Sequence, residues 1–277
     1  MINDNVLAIH DICSYSKSSL TVVIPIMETL GIEVAPMPTA LLSTQSDGFK
    51  NVYLKDEEES VNAIFNKFKD EEFSFSSVYS GFLANHKQVS KVKEICQYYK
   101  DKDNSLIIVD PVLGDNNKLY DSITEKHIIE MKKLVSIADY ITPNITEAAL
   151  LVDSKMKDSY SIDEIKEILI SLSNLGPKNA IITSIKLDKN DTNIFNASID
   201  SNKKINFYSS EKVDVHYPGT GDMFTSLLAS KLIDGHTFGE AIIFATGVTY
   251  DTIVATVENK RDTKLGISTI EAIKLIK

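Results

Sequence analysis

Short apolar runs without polar alternation recur along this sequence, separated by longer segments of helical periodicity. A run such as residues 106–109 (Leu-Ile-Ile-Val) is typical of a strand buried on both faces. Strand-then-helix alternation predicts an α/β fold with a central, mostly parallel sheet and helices on both faces. The expected strands are residues 6–9, 32–37, 76–80, 106–109, 140–141, 180–183, 193–199 and 204–208.

Segments with apolar residues at helical spacing lie between these strands. Leu20, Val23 and Met27 share one helical face, and Gly31 follows as a stop signal. Because no repeat or linker-like stretch interrupts the pattern, we interpret residues 1–277 as one domain. The expected helices are residues 18–30, 61–68 after an acidic start at 56–59, 87–99, 124–137 and 162–172, with residues 221–276 mostly helical.

The charge and cysteine content exclude several classes of protein. The chain has 29 basic and 39 acidic residues, a formal net charge of −10, which argues against binding to nucleic acid or to anionic membranes. Its two cysteines, Cys13 and Cys96, cannot form a disulfide framework or a four-cysteine zinc site. The first residues lack the basic region of a signal peptide, and the apolar runs are shorter than the ~20 residues of a membrane span. We therefore expect a cytoplasmic protein.

A glycine-rich segment, Pro218-Gly219-Thr220-Gly221-Asp222, opens an apolar helix. Two glycines allow a tight turn at a helix N-terminus, where free N–H groups and the helix dipole favour an anion. Asp222 would lie beside that anion, where a carboxylate suits a general base for an attacking hydroxyl. The alternative is a structural turn in which Asp222 caps the helix. The segment is neither a Walker A motif nor a dinucleotide-binding fingerprint.

Two further segments follow predicted strands. In the first, Asp110 and Asp115 bracket a Pro/Gly turn, and such oxygens suit Mg²⁺ together with substrate phosphates. The alternative is a solvated turn capped by Asp110. In the second, Thr142-Pro143-Asn144 precedes a helix, and Glu147 would lie near the same cation as Asp110. There the alternative is a capping box between Asn144 and Glu147.

Together, the three segments suggest one reaction. Each contains a proline at the expected carboxyl end of a strand, where parallel sheets bind ligands. They supply an anion pocket, a base and cation ligands, the minimal requirements for phosphoryl transfer. With these motifs the chain resembles the ribokinase-like superfamily and, within it, the pyridoxal/pyridoxamine kinases. The N-terminal segments 9–11, 18–19 and 38–44 favour that branch, with the phosphomethylpyrimidine kinases as the nearest alternative.

The resemblance implies a ribokinase-like fold with a small β-flap over a vitamin-sized substrate. It implies an ATP-dependent kinase for the 5′-hydroxyl of pyridoxal, pyridoxamine or pyridoxine, with Asp222 as the base. The anion hole would comprise Gly219, Thr220 and Gly221, and Asp110 and Glu147 would hold Mg²⁺ at the ATP phosphates. Homodimerisation is also expected from this resemblance, whereas a role for a monovalent cation stays open.

The remaining site residues follow from the same resemblance. The vitamin pocket would be lined by Asp11, Ser46 and Asp47. Many relatives have serine at the position of Asp11 and lysine at that of Ser184, so the vitamer preference stays open. The remaining alternatives are a kinase of hydroxymethylpyrimidine or another small alcohol, and a catalytically silent ligand sensor. The nucleotide would contact Asp110, Thr142, Asn144, Glu147, Ser184, Phe207, Tyr208, Ser209 and Ser210.

Overall fold

The computed structural model describes residues 5–45, 48–188 and 192–277. The strands are β1 (Asn5–Tyr15), β2 (Glu33–Thr44), β3 (Leu54–Asp56), β4 (Ser77–Ser80), β5 (Leu106–Val109), β6 (Gly114–Asp115), β7 (Lys118–Leu119), β8 (Tyr140–Ile141), β9 (Asn179–Ile185), β10 (Asn193–Ile199) and β11 (Ile205–Glu211). The helices are α1 (Leu20–Thr29), α2 (Glu58–Asp70), α3 (His86–Asp103), α4 (Glu125–Val135), α5 (Ile145–Leu151), α6 (Ile162–Asn174), α7 (Thr220–Ile233), α8 (Phe238–Glu258) and α9 (Thr269–Ile276).

The main sheet has nine strands in the order β11-β10-β9-β8-β5-β4-β1-β2-β3. The six strands from β9 to β2 in this order run parallel, whereas β3 and β10 are antiparallel to their neighbours. β11 is antiparallel to β10 and therefore ends at the same edge of the sheet as β9. The prediction of a mostly parallel central sheet is confirmed.

Both faces of this sheet are covered. In β1, Leu7 and Ile9 pack into the core beneath α2–α6, whereas Val6 and Ala8 pack toward α1 and α7. All four side chains are fully buried. This two-sided burial explains why the strand carries no polar alternation, and it places every parallel carboxyl end between two helical layers.

Two of the three proline-containing segments lie where the sequence predicts. Asp110 follows β5 directly, and Thr142 follows β8. The expectation for Pro218 is wrong, because it lies in the loop 212–219, which separates the end of β11 from α7. The glycine-rich segment thus reaches the carboxyl edge as the start of a helix and not as the end of a strand.

The first two strands are longer than the apolar pattern predicts. β1 and β2 stay paired as far as Tyr15 and Thr44, with a register shift between His10 and Ile12. The exposed strand β3 adds to β2. This small extension corresponds to the expected β-flap, and its mixed polar sequence explains why no strand was predicted there.

α8 is one described helix that is long and apolar enough to cross a membrane by length and composition. It packs against α7 and α9 and carries Glu240, Asp251 and Glu258. A core helix of a soluble protein passes the same test, so this is weak evidence for a membrane span.

Candidate active site

Asp222 lies in the first turn of α7, after the N-cap residue Gly219. Gly219 has a φ of 83°, and a Cβ there would lie 2.6 Å from the carbonyl oxygen of Lys17, so only glycine fits. A Cβ at Gly221 would meet nothing within 4 Å. The first-turn N–H groups lack intrahelical partners, so the start of α7 can bind an anion next to the Asp222 carboxylate.

Lys17 connects the start of α7 to a distant loop. A Cβ at Gly266 would also overlap the carbonyl oxygen of Lys17. The N–H of Lys17 donates to the carbonyl of Leu265 at 3.0 Å, and the N–H of Ile267 donates to that of Pro218 at 2.9 Å. The segment after β1, the start of α7 and the loop before α9 therefore form one packed unit.

Ser19 holds the Asp222 carboxylate. Its backbone N–H donates to Oδ2 of Asp222 at 2.8 Å, and its hydroxyl donates to Oδ1 of Asp11. The Asp222 side chain is 15% exposed, so one part still reaches the cleft. Burial raises the pKa of Asp222, and the Ser19 N–H partly offsets that rise by stabilising the charged form.

Asp11, predicted to line the vitamin pocket, is buried in β1 beside Asp222. Burial raises the pKa of Asp11 to about 7, and the charge of Asp222 adds to the rise. The thiol of Cys13 donates to Oδ2 of Asp11 at 3.9 Å. Burial also raises the pKa of Cys13 to about 12, so the thiol is not an activated nucleophile.

Asp110 is a buried carboxylate that accepts no hydrogen bond from another described side chain or backbone N–H. Burial raises its pKa well above the ordinary value, and the nearby charge of Asp222 raises it further. Such a group lacks what normally stabilises a buried charge. A cation delivered with the substrate would supply it.

Glu147 closes the capping box at the start of α5. Its Oε2 accepts the N–H of Asn144 at 2.9 Å, and its Oε1 accepts the N–H of Leu113 at 3.1 Å. Burial and the charge of Asp110 still raise the pKa of Glu147 well above its ordinary value. The capping box that the sequence offered as the alternative is therefore present. The Glu147 carboxylate still keeps lone pairs for a cation shared with Asp110.

The carboxylates of Asp11, Asp110, Glu147 and Asp222 are defined here as the acidic cluster. Within the described ranges, no lysine or arginine forms an ion pair with any of them. The described residues also contain no group of three or more His, Cys, Asp or Glu side chains arranged to hold a metal. Two carboxylates without a third protein ligand fit Mg²⁺, which keeps much of its shell for phosphates and water.

Thr142 and Asn144 border the acidic cluster but are occupied by local contacts. Oγ1 of Thr142 accepts a hydrogen bond from Thr225 of α7 at 3.0 Å. The Asn144 side chain accepts the N–H of Glu147 and donates to the carbonyl of Gly114 at 2.8 Å. These bonds fix the turn after β8, and a direct contact of either residue with a nucleotide stays a prediction.

A cavity of about 520 Å³ opens between β11 and α8. Phe207 does not line it, because its side chain packs into the core on the opposite face. β11 ends at the carboxyl edge, four strands from β5, which corresponds to about 19 Å along the sheet. The cavity is lined by Tyr208, Ser209, Ser210, Glu211, Ile243, Thr246, Gly247 and Tyr250.

Ser184 lies near the end of β9, between the acidic cluster and this cavity in strand order. It has a positive φ of 59°, and its N–H donates to Oδ1 of Asn196 at 3.3 Å. Asn196 in turn donates to Thr246 of α8 at 3.0 Å. Ser184 thus belongs to the framework that joins β9, β10 and α8.

Two predicted vitamin-pocket residues, Ser46 and Asp47, lie outside the described residues. The segment that follows them lies against the end of β1 and the loop before α9. The ring of Phe49 contacts that of Tyr15, with centroids 6.3 Å apart, and Nζ of Lys264 lies 5.8 Å from the Phe49 centroid.

Sequence reasoning missed part of the site's interior. His10 and Tyr79 lie fully buried in contact with each other, with ring centroids 4.3 Å apart. Neither ring nitrogen of His10 has a hydrogen-bond partner among the described residues, and Nδ1 is 4.0 Å from Oδ1 of Asp222. His10 and Ser19 had a signal as parts of the family segments 9–11 and 18–19, whereas Tyr79 had none, because burial and proximity across strands leave no mark in the sequence.

This chain is similar to known proteins in sequence and in fold. A pyridoxal kinase from Dictyostelium discoideum is 32% identical over 217 residues, covering 73% of this chain and 69% of that protein. A Bacteroides thetaiotaomicron protein assigned to the phosphomethylpyrimidine kinases and solved with pyridoxal has a TM-score of 0.93 and 32% identity, covering 99% of this chain and 95% of that one. The chain spans about half the length of several other curated relatives.

A more distant structure extends the likeness in fold. Pyridoxal kinase from Leishmania donovani, solved with ADP and pyridoxine, has a TM-score of 0.89 at 21% identity and covers 99% of this chain and 95% of its own. The expected resemblance to pyridoxal kinases with a ribokinase-like fold is confirmed. The family profile named for phosphomethylpyrimidine kinase matches residues 24–265, so the chain belongs to that family of ribokinase-like kinases.

Proposed function

We propose that this protein transfers the γ-phosphoryl group of ATP to the 5′-hydroxyl of a vitamin B6 vitamer. The observation that carries the proposal is Asp222 at the start of α7, held by Ser19 and flanked by the buried acidic cluster. The relatives named as pyridoxal kinases and the related structure with pyridoxal support a B6 vitamer as the acceptor.

In this proposal, Asp222 accepts the proton of the 5′-hydroxyl as that oxygen attacks the γ-phosphorus. The N–H groups of Gly219, Thr220 and Gly221 stabilise the negative charge of the transferring group. Asp11, whose carboxylate accepts a hydrogen bond from the Ser19 hydroxyl, would face the vitamin. We assign the role of base to Asp222 and not to Asp11, because part of the Asp222 side chain is exposed to the cleft.

Asp110 and Glu147 would hold Mg²⁺ at the phosphates of ATP. When bound, the ion neutralises phosphate charge and the charge of the acidic cluster. The cavity lined by Tyr208, Ser209 and Ser210 would take the nucleoside, since it lies farther along the same edge of the sheet. Its mixed aromatic and hydroxyl lining suits a base and a ribose.

A hydroxymethylpyrimidine kinase is the second candidate. The name of the matching family favours it, and both substrates are small aromatic rings that carry a primary alcohol. A silent ligand sensor is disfavoured, because it would have no use for a partly exposed carboxylate held at an anion-binding helix start.

One panel separates these candidates. Purified protein is incubated with Mg²⁺ and ATP and with pyridoxal, pyridoxamine, pyridoxine or hydroxymethylpyrimidine, and ADP and the phosphorylated product are both measured. We expect product from at least one B6 vitamer at a higher kcat/KM than from hydroxymethylpyrimidine. The reverse preference would assign the second candidate, and ligand binding without product would assign a sensor.

Further properties belong to the same proposal. Residues 1–277 act as one kinase domain, which the single nine-stranded sheet supports. The enzyme acts in the cytoplasm as a homodimer, uses Mg²⁺ and responds to a monovalent cation, as expected for a member of this family. Light scattering tests the homodimer, and a salt series with K⁺, Na⁺ and a large organic cation tests the response to a monovalent cation.

A further inference from the structure

We infer that His10 is a positioning residue: its neutral imidazole donates Nδ1–H to Oδ1 of Asp222 and fixes the orientation of that carboxylate for proton transfer. This inference rests on the proposed function. The two atoms are 4.0 Å apart in this structure, and catalytic hydrogen bonds are commonly long in the free enzyme.

The first observation is the burial of His10 beneath the site. Its side chain is fully buried, so it cannot touch the vitamin. Neither ring nitrogen has a hydrogen-bond partner among the described residues, although buried polar groups normally have one. Oδ1 of Asp222 is the carboxylate oxygen that lies within ion-pair distance of the ring, 4.0 Å from Nδ1.

The second observation concerns the two oxygens of the Asp222 carboxylate. The Ser19 N–H holds Oδ2 of Asp222 and leaves Oδ1 facing the ring of His10. A donor on each oxygen would stop the carboxylate from rotating about its χ2 angle. Such fixation matters because a misplacement of 1 Å at a reacting group can cost about 100-fold in rate.

The third observation is that the fold makes room for the ring. A Cβ on Gly81, the residue that follows β4, would overlap Nδ1 of His10. Tyr79 contacts the ring edge-on at 4.3 Å and confines it from the same strand. The ring is therefore held in one place, with Nδ1 4.0 Å from Oδ1 of Asp222. Burial lowers the pKa of His10 to about 3, which keeps the ring neutral.

Substitutions at two positions test the inference by separating kcat from KM. We expect His10→Leu to lower kcat about 10- to 100-fold, with KM for the vitamer and for ATP unchanged within about twofold. His10→Gln keeps an N–H donor and should restore most of the loss. Gly81→Ala keeps the histidine but displaces its ring, so it should lower kcat in the same way.

His127 of α4 provides a matched control. It is also buried, and neither of its ring nitrogens has a partner among the described residues. It faces no residue of the acidic cluster, so His127→Leu should leave both kcat and KM unchanged. Wild-type kcat in both His10→Leu and Gly81→Ala would overturn the inference, and so would equal losses in His10→Leu and His10→Gln.

A spectroscopic test does not depend on turnover. Nitrogen-15 NMR of the histidine rings, with His10 assigned by its loss in His10→Gln, reports which nitrogen carries the proton. We expect the Nδ1–H tautomer in wild type and a mixed or Nε2–H form in Asp222→Asn. An Nε2–H tautomer in wild type overturns the inference, even if the substrate panel confirms the kinase. If no substrate is phosphorylated, the proposed function fails, and the tautomer alone decides the role of His10.

Discussion

Asp110 and Asp139 are both buried aspartates next to central strands, but they lie at opposite edges of the sheet. Asp139 precedes β8 at the amino edge and is paired with Lys178 at 2.6 Å and Lys100 at 3.5 Å. It also accepts the N–H of Ile107 at 2.9 Å. Asp110 follows β5 at the carboxyl edge and has no such partner among the described residues.

The difference separates two uses of a buried charge. At the amino edge, the chain neutralises its own carboxylate, and the result is a structural ion-pair network. At the carboxyl edge, the carboxylates raise one another's pKa and no lysine compensates. Burying a carboxylate without a counter-charge costs folding free energy. Such a carboxylate is therefore expected where a bound ligand supplies the positive charge.

The largest effect should come from Asp222. We expect Asp222→Asn to lower kcat by at least about 100-fold with little change in ATP affinity, because the 5′-hydroxyl loses its proton acceptor. If Asp222 only complemented the helix dipole, the variant would lose about 0.3–1 kcal/mol of stability and turn over normally. Measuring kcat, ATP affinity and melting temperature on one preparation distinguishes these results.

Asp11 should show that a charge at the carboxyl edge destabilises the fold. Its pKa rises from 3.8 unfolded to about 7 folded, so the folded state increasingly disfavours the ionised form as pH rises between these values. We expect Asp11→Asn to have near wild-type stability at pH 4 and to be more stable at pH 8, by up to about 4 kcal/mol. Urea unfolding of both proteins at pH 4 and pH 8 measures the difference in free energy of unfolding. The same difference at both pH values would contradict the burial effect.

Asp139 should give the opposite sign. Asp139→Asn leaves Lys100 and Lys178 without their acceptor, and we expect a loss of about 2 kcal/mol, limited because both lysines are partly exposed. Turnover per folded molecule should stay at the wild-type value. A stabilised variant, or a loss of kcat, would remove the distinction between the two edges.

Asp110 should give a smaller effect that depends on metal. We expect Asp110→Asn to raise the Mg²⁺ concentration for half-maximal rate about tenfold, equivalent to about 1.4 kcal/mol, with the KM for the vitamer unchanged. Titrations of Mg²⁺ at fixed ATP, with Asp139→Asn as the matched control, measure the shift. An identical Mg²⁺ response in wild type and variant would exclude Asp110 as a ligand.

Much of the fold could be predicted because its central strands are buried on both faces. Residues 106–109 and 193–199 match β5 and β10 without error. β3 was missed because all its residues are exposed, and the distal half of β1 because His10 and Asp11 are polar yet buried. The rule that links apolar runs to buried strands fails where a buried strand carries polar side chains of the candidate site.

The candidate site was predictable where its residues follow strands or open helices. The charge of Asp222 raises the pKa of Asp110, and the charge of Asp110 raises the pKa of Glu147, as expected for side chains at one edge of the sheet. The roles of Ser19 and His10 depend on a backbone N–H and on a distance between β1 and α7, and neither is written in a spacing. The nucleotide and vitamin roles of the other predicted residues stay predictions.

The packing of Gly219 and Gly266 on the carbonyl of Lys17 changes how natural variants of this enzyme should be interpreted. Residue 266 is far from Asp222 in sequence, yet any side chain there would push Lys17 against the start of α7. A natural variant with alanine at this position would be judged silent because the position is far in sequence from the glycine-rich segment. We expect this variant instead to fold but to lose activity, because the start of α7 that carries Asp222 would be displaced.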